Sequence, residues 1–84
     1  MRLTIQQASV VAAQLSLVND ARNKSNHLRV SLDTSSCRCA VMIEVQMHGE
    51  QDAMELYVDK FGAVTILHNG VPVTHREYLL RILT

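Results

Sequence analysis

Three aromatic residues, Tyr57, Phe61 and Tyr78, are all that this 84-residue chain contains, too few for the stacked platform with which sheet surfaces hold single-stranded RNA. Net charge is absent as well: eight Lys and Arg stand against eight Asp and Glu, so no overall field draws the chain to nucleic acid or an anionic membrane. No apolar run approaches the ~18 residues of a membrane span, and the first residues lack the hydrophobic segment and small-residue cleavage site of a signal peptide. The chain therefore reads as cytoplasmic. Its two cysteines, in the order Cys37-Arg38-Cys39, suit a reducing compartment. A two-residue step along a strand separates Cα atoms by about 6.5 to 7 Å, at the strained edge of disulfide geometry. Glycine-rich strand-to-helix loops, internal repeats, low-complexity tracts and linkers are missing too. One α+β domain over residues 1–84 is expected, just above the size at which a single core suffices unaided.

What is present is organised around a hairpin from Arg38 to Lys60. Cys39, Val41, Ile43, Val45 and Met47 alternate with Ala40, Met42, Glu44, Gln46 and His48, and Met54, Leu56 and Val58 continue the pattern with shifted parity. This is the two-residue period of strands buried on one face. Pairing odd with even positions sets Met47 opposite Met54, Val45 opposite Leu56 and Ile43 opposite Val58, with Gly49-Glu50-Gln51-Asp52 as the connection. Upstream, Leu28, Val30 and Leu32 form a strand with Leu32 opposite Cys39, Val30 opposite Val41 and Leu28 opposite Ile43, closed by the loop Thr34-Ser35-Ser36-Cys37. Downstream, Lys60-Phe61-Gly62 is a three-residue turn with glycine where positive φ is needed, setting Val58 opposite Val64 and Leu56 opposite Ile66. Asn69-Gly70 marks a tight hairpin that places Val73 opposite Ile66. Pro72 cannot donate to a ladder, so this short fifth strand must be an edge.

Two helices flank the strands. Thr4 and Gln7 fit a capping box, and Ile5, Ala8, Val11, Ala12, Leu15 and Val18 make one stripe at helical spacing that is expected to face the core. Gln6, Ser9 and Gln14 fall off it, and Val10 and Leu17 lie on a flank with room for a partner. The helix is expected to end near Arg22 to Lys24. A second helix starts at Thr74 with Glu77 in the capping-box position and Tyr78, Leu79, Ile82 and Leu83 on its apolar side. The expected fold is thus α+β and two-layered: an antiparallel four-stranded meander, which can add a short fifth edge strand, with an N-terminal and a C-terminal helix on one face.

Candidate chemistry fails on distance. Cys37 and Cys39 with four histidines invite a metal site, but His48 lies nine residues beyond Cys39, roughly 30 Å along a straight strand. His27 sits away from the Cys37 loop, and His68 and His75 belong to the far edge. Cys39 is better explained as a small buried hydrophobe, and Cys37 has no histidine in reach to make it a nucleophile. Ser35 and Ser36 suit a turn. Glu44, Glu55 and Asp59 approach one another on the open face of the sheet, where a solvated patch is the plainer account than acid–base catalysis. No catalytic residue, metal or cofactor is expected.

The sign of charge does change along the chain. Residues 1–40 hold five basic and two acidic side chains, a surplus of +3, and residues 41–84 hold three basic and six acidic, a deficit of −3. The registers above give open-face rows of Arg29, Met42, Asp59 and Ala63, then His27, Glu44, Tyr57 and Thr65, then Gln46, Glu55 and Leu67. The expected function is a small non-catalytic protein–protein interaction domain, a regulator or inhibitor or a homo-oligomeric adaptor, using Met42, Glu44, Glu55, Tyr57, Asp59 and Leu67. Its partner would be another protein or a second copy in a homodimer. The alternative is a nucleic-acid-binding accessory protein using the basic Arg22–Arg29 segment with Lys24 and His27. A phage or mobile-element protein that blocks a host machine would be compatible with such a domain, although no residue specifies that origin.

Overall fold

Turn chemistry and alternating hydrophobicity together yield an antiparallel meander with a helix at each end. The computed structural model describes residues 3–22, 25–33, 40–47 and 52–83. Among them the order is α1 (Ile5–Asp20), β1 (His27–Asp33), β2 (Ala40–Met47), β3 (Asp52–Val58), β4 (Val64–His68), β5 (Val71–Pro72) and α2 (His75–Leu83). The five strands form one sheet in sequential order, which is the expected α+β architecture. The Thr34–Cys37 loop, Cys39 and His48 lie outside the described residues.

Two registers follow their turns. Gly62, at φ +89°, closes the connection after β3, where Gly62 N donates to Asp59 O at 3.0 Å and Asp59 N to Ala63 O at 3.0 Å. Val58 accordingly pairs with Val64 and Leu56 with Ile66. Asn69 and Gly70, both at positive φ, make the two-residue turn whose right-handed twist matches the flanking strands. His68 pairs with Val71 and Leu67 with Pro72, and Val73 N donates to Ile66 O at 3.0 Å. Proline stands on the sheet edge, as its missing N–H requires.

The other two registers differ from the expected ones by a slide that keeps every face. In the β2–β3 pair Ile43 stands opposite Leu56, Val45 opposite Met54 and Val41 opposite Val58, and Asp52 belongs to β3, opposite Met47, rather than to the connection. In the β1–β2 pair Val30 stands opposite Ile43, Leu28 opposite Val45 and Leu32 opposite Val41. Parity fixes which side chains share a face but cannot separate a register from its neighbour two residues away. Completed rows decide it: Val30, Ile43, Leu56 and Ile66 align across four strands, with Val41, Val58 and Val64 on one side and Leu28, Val45, Met54 and His68 on the other. The expected register would have left Val41 beyond the end of β3.

Both helices cover this apolar face. Val41, Ile43, Val45, Met47, Met54, Leu56, Val58 and Ile66 are buried in one cluster with Val18 and Ala21 at the end of α1 and Tyr78 and Ile82 of α2. The capping box forms: Gln7 N donates to Thr4 Oγ1 at 3.1 Å and Thr4 N to Gln7 Oε1 at 3.0 Å. Thr74 Oγ1 likewise accepts from Glu77 N at 3.1 Å. Helix α1 stops at Asp20 with Ala21 as an extended C-cap, slightly before the expected end.

The rotation of α1 departs from the expected core stripe: Val11 and Val18 do face the core, but Val10 and Leu17, expected on a free flank, pack against it as well. Gln7, Gln14 and Val18 are its buried residues, and Val10, Val11 and Leu17 pack against the core, whereas Ile5, Ala8, Ala12 and Leu15 face outward. The reason is polar. Gln7 Nε2 donates to Val58 O at 3.2 Å and Gln14 Oε1 accepts from Tyr78 Oη at 2.7 Å, both in buried surroundings. A helix apolar nearly all round has no contrast to fix its rotation, so the two glutamines that find buried partners set it. Gly62 seals the arrangement, because a Cβ there would stand 3.0 Å from Gln6 Cβ.

Candidate functional site

The faces of β2 and β3 that point away from the helices carry Met42, Glu44, Gln46, Glu55 and Tyr57, all half-buried. The corrected registers regroup them. One row reads Ser31, Met42, Tyr57, Thr65 and the next Arg29, Glu44, Glu55, Leu67, Pro72, followed by His27, Gln46 and Ala53. Tyr57 therefore stands between Met42 and Thr65, not between Glu44 and Thr65. Asp59 follows the end of β3, and its Oδ1 accepts from Phe61 N at 2.9 Å and Ala63 N at 3.0 Å, which ties the carboxylate to the β3–β4 turn.

Glu44 and Glu55 are directly opposite each other, an arrangement that like charges make unfavourable. Two neighbours moderate it. Tyr57 Oη donates to Glu55 Oε2 at 2.6 Å and Gln46 Nε2 to Glu44 Oε1 at 2.6 Å, short charge-assisted bonds of the strong kind. Arg29 is the cross-strand neighbour of Glu44 on the other side. The surface is thus an acidic pair in a frame of donors, with Met42 beside the tyrosine and Leu67 beside Glu55. The basic segment does not stand apart from it: Arg29 belongs to the acidic row, Arg22 follows the end of α1, and Lys24 lies outside the described residues.

A second cluster of ionisable groups closes one end of the core, on the helix side of the sheet. Asp52 Oδ1 is 2.6 Å from His68 Nε2, and Arg81 of α2 donates to Asp52 Oδ2 at 3.1 Å. The His68 hydrogen bond, with the charges of His68 and Arg81 and a bond from Ala53 N, holds the Asp52 carboxyl below its ordinary range despite partial burial. With both oxygens engaged, Asp52 acts as a clamp joining β3, β4 and α2. Among the described residues no three of His, Cys, Asp and Glu gather in an arrangement able to hold a metal ion, and no helix is long and apolar enough to cross a membrane.

Sequence pattern alone missed the clamp and the outward face of α1. The clamp is a diagonal contact: His68 stands opposite Met54, and Asp52, expected in the connection, reaches it from the start of β3. The outward face did have a signal: no charged residue occurs from 3 to 19, which is unusual for a helix with one side in water. No known protein family model, curated protein or solved structure matches the chain.

Proposed function

We propose that the protein is a small non-catalytic interaction domain, a regulator or inhibitor that presents the open face of its sheet to a protein partner with a basic surface. Tyr57 is the observation that carries this reading. Its ring is half-buried beside Met42 and its hydroxyl is bonded to Glu55, so it offers a large apolar area whose orientation is already set and little rotamer freedom is lost on binding. The facing carboxylates of Glu44 and Glu55 favour a Lys or Arg approaching between them, because such a group relieves their repulsion.

Affinity capture from the source cells, comparing the unaltered protein with Tyr57→Ala and Arg22→Ala, tests the proposal. The partner should be retained by Arg22→Ala and lost with Tyr57→Ala, whose affinity should fall by at least ~2 kcal/mol as for a hot-spot residue, while the variant stays folded with a melting temperature lowered by the loss of the Glu55 bond. A nucleic-acid accessory role would give the opposite ranking and an affinity that falls steeply with salt. Full partner binding by Tyr57→Ala would remove the sheet face from consideration.

A further inference from the structure

Helix α1 has two apolar sides and the fold covers one. On the uncovered side Ile5 is 85% exposed and Leu15 48%, with Ala8 and Ala12 between them and Ser9 and Ser16 alongside, all exposed. The spacing 5, 8, 12, 15 alternates three and four residues, the seam along which two helices pack side by side with a slight left-handed twist. Its order of sizes, large, small, small, large, is the same read from either end. A two-fold axis near Val10 would set Ile5 against Leu15 of a second copy and Ala8 against Ala12 of that copy, so each contact occurs twice, as an isologous interface requires.

We infer that this face of α1 binds α1 of a second copy, antiparallel, making a homodimer whose interface is separate from the open sheet face. Charge favours a second copy over a different protein: with no charged residue from 3 to 19, two copies meet without repulsion and offer nothing for a charged partner to read. The small residues at the centre let the backbones approach, and antiparallel alignment opposes the two helix dipoles favourably. The stretch of helix that overlaps, Ile5 to Leu15, gives a contact about 16 Å long. Such a strip covers less than about 1,000 Å² over both copies, at the weak end of specific interfaces. The dimer therefore forms reversibly, at micromolar or higher concentration, and leaves both sheet faces free.

Sedimentation equilibrium of the full chain over about a hundredfold range of concentration reads this directly. The unaltered protein and Tyr57→Ala should show the same monomer–dimer equilibrium, unaffected or strengthened by sulfate. Ala8→Glu with Ala12→Glu brings like charges together twice and should weaken dimerisation at least ~100-fold. Ala8→Glu with Ala12→Lys should restore it, because the carboxylate introduced at position 8 would then face the ammonium introduced at position 12 of the other copy, and the same pair at i,i+4 supports the helix of the monomer. A monomer at every concentration, a dimer untouched by the two glutamates, or one that Tyr57→Ala dissolves overturns the inference. Failure of the Glu–Lys variant to dimerise overturns the antiparallel pairing. Loss of the sheet-face partner in Tyr57→Ala leaves this equilibrium unmoved, so the two proposals fail separately.

Discussion

The two ends of the molecule hold their shape by different means. From β3 to α2 each step is set by neighbours in sequence: Asp59 bonds to Phe61 and Ala63, Gly62, Asn69 and Gly70 take the positive φ values of the two turns, and Thr74 caps the helix that follows. Helix α1 makes its own cap, but its orientation rests on partners 51 and 64 residues away, Val58 O for Gln7 and Tyr78 Oη for Gln14. Local chemistry therefore sets the C-terminal part, whereas the seating of α1 depends on bonds to distant parts of the closed core. Such a helix can keep an apolar stripe outside, because the buried polar bonds rather than hydrophobic contrast choose its rotation.

The largest effects should come from the strands that join the two parts. Ile43 and Leu56 are opposite each other and fully buried, so truncating either to alanine should cost about 2 to 5 kcal/mol in urea or thermal unfolding. A double-mutant cycle tests the register at the same time. Ile43 with Leu56 should show a coupling of at least ~0.5 kcal/mol, larger than Ile43 with the diagonal Val58. The reverse order would restore the slid register and dissolve the contrast between turn-fixed and core-fixed pairings.

A smaller effect isolates the seating of α1. Gln7→Glu keeps an acceptor for Thr4 N but cannot donate to Val58 O when ionised, and it places a carboxylate where the native side chain is nearly inaccessible. The expected loss is about 1 to 3 kcal/mol, shrinking as pH falls far enough to protonate the new carboxyl. Hydrogen exchange should locate the loss in α1, with the β3–β4 and β4–β5 turns still protected. Equal loss of protection in those turns would mean that the two parts do not differ in the way described.

The same contrast explains what could be read from residues alone. The α+β architecture, the strand order, the Gly62 and Asn69-Gly70 turns and the Thr4 and Thr74 caps all depend on local signals, and all of them form. The β1–β2 and β2–β3 registers lack a turn signal of that kind, and parity leaves a two-residue ambiguity. The rotation of α1 was the least legible feature, since Ile5, Ala8, Ala12 and Leu15 are as good a helical stripe as the buried one. Only the destinations of the Gln7 and Gln14 side chains separate the two. On the open face Met42, Glu44, Glu55, Tyr57 and Leu67 followed from parity, while the bonding of Asp59 to the turn and the facing of Glu44 with Glu55 needed the true register.

The smallest effect concerns the Asp52 clamp, which involves β3, β4 and α2 but not α1. Because the folded Asp52 has a lowered pKa, its contribution is fully present above the unfolded carboxyl pKa of ~3.9. As pH falls below that value the unfolded chain takes up the proton first, and the contribution fades until the folded carboxyl is protonated too. The pair is partly exposed, so the effect should be on the order of 1 kcal/mol or less, and weaker in salt. Asp52→Asn should lower the melting temperature slightly at neutral pH and flatten the acid limb below pH ~4. Hydrogen exchange in acid gives the sharper test, because loosening should begin in α2, where Arg81 loses its ion pair with Asp52, and leave α1 between Val10 and Val18 protected. Acid that loosened α1 first would show that the clamp's ionisation is felt through the whole core, and that α1 is the less firmly seated helix.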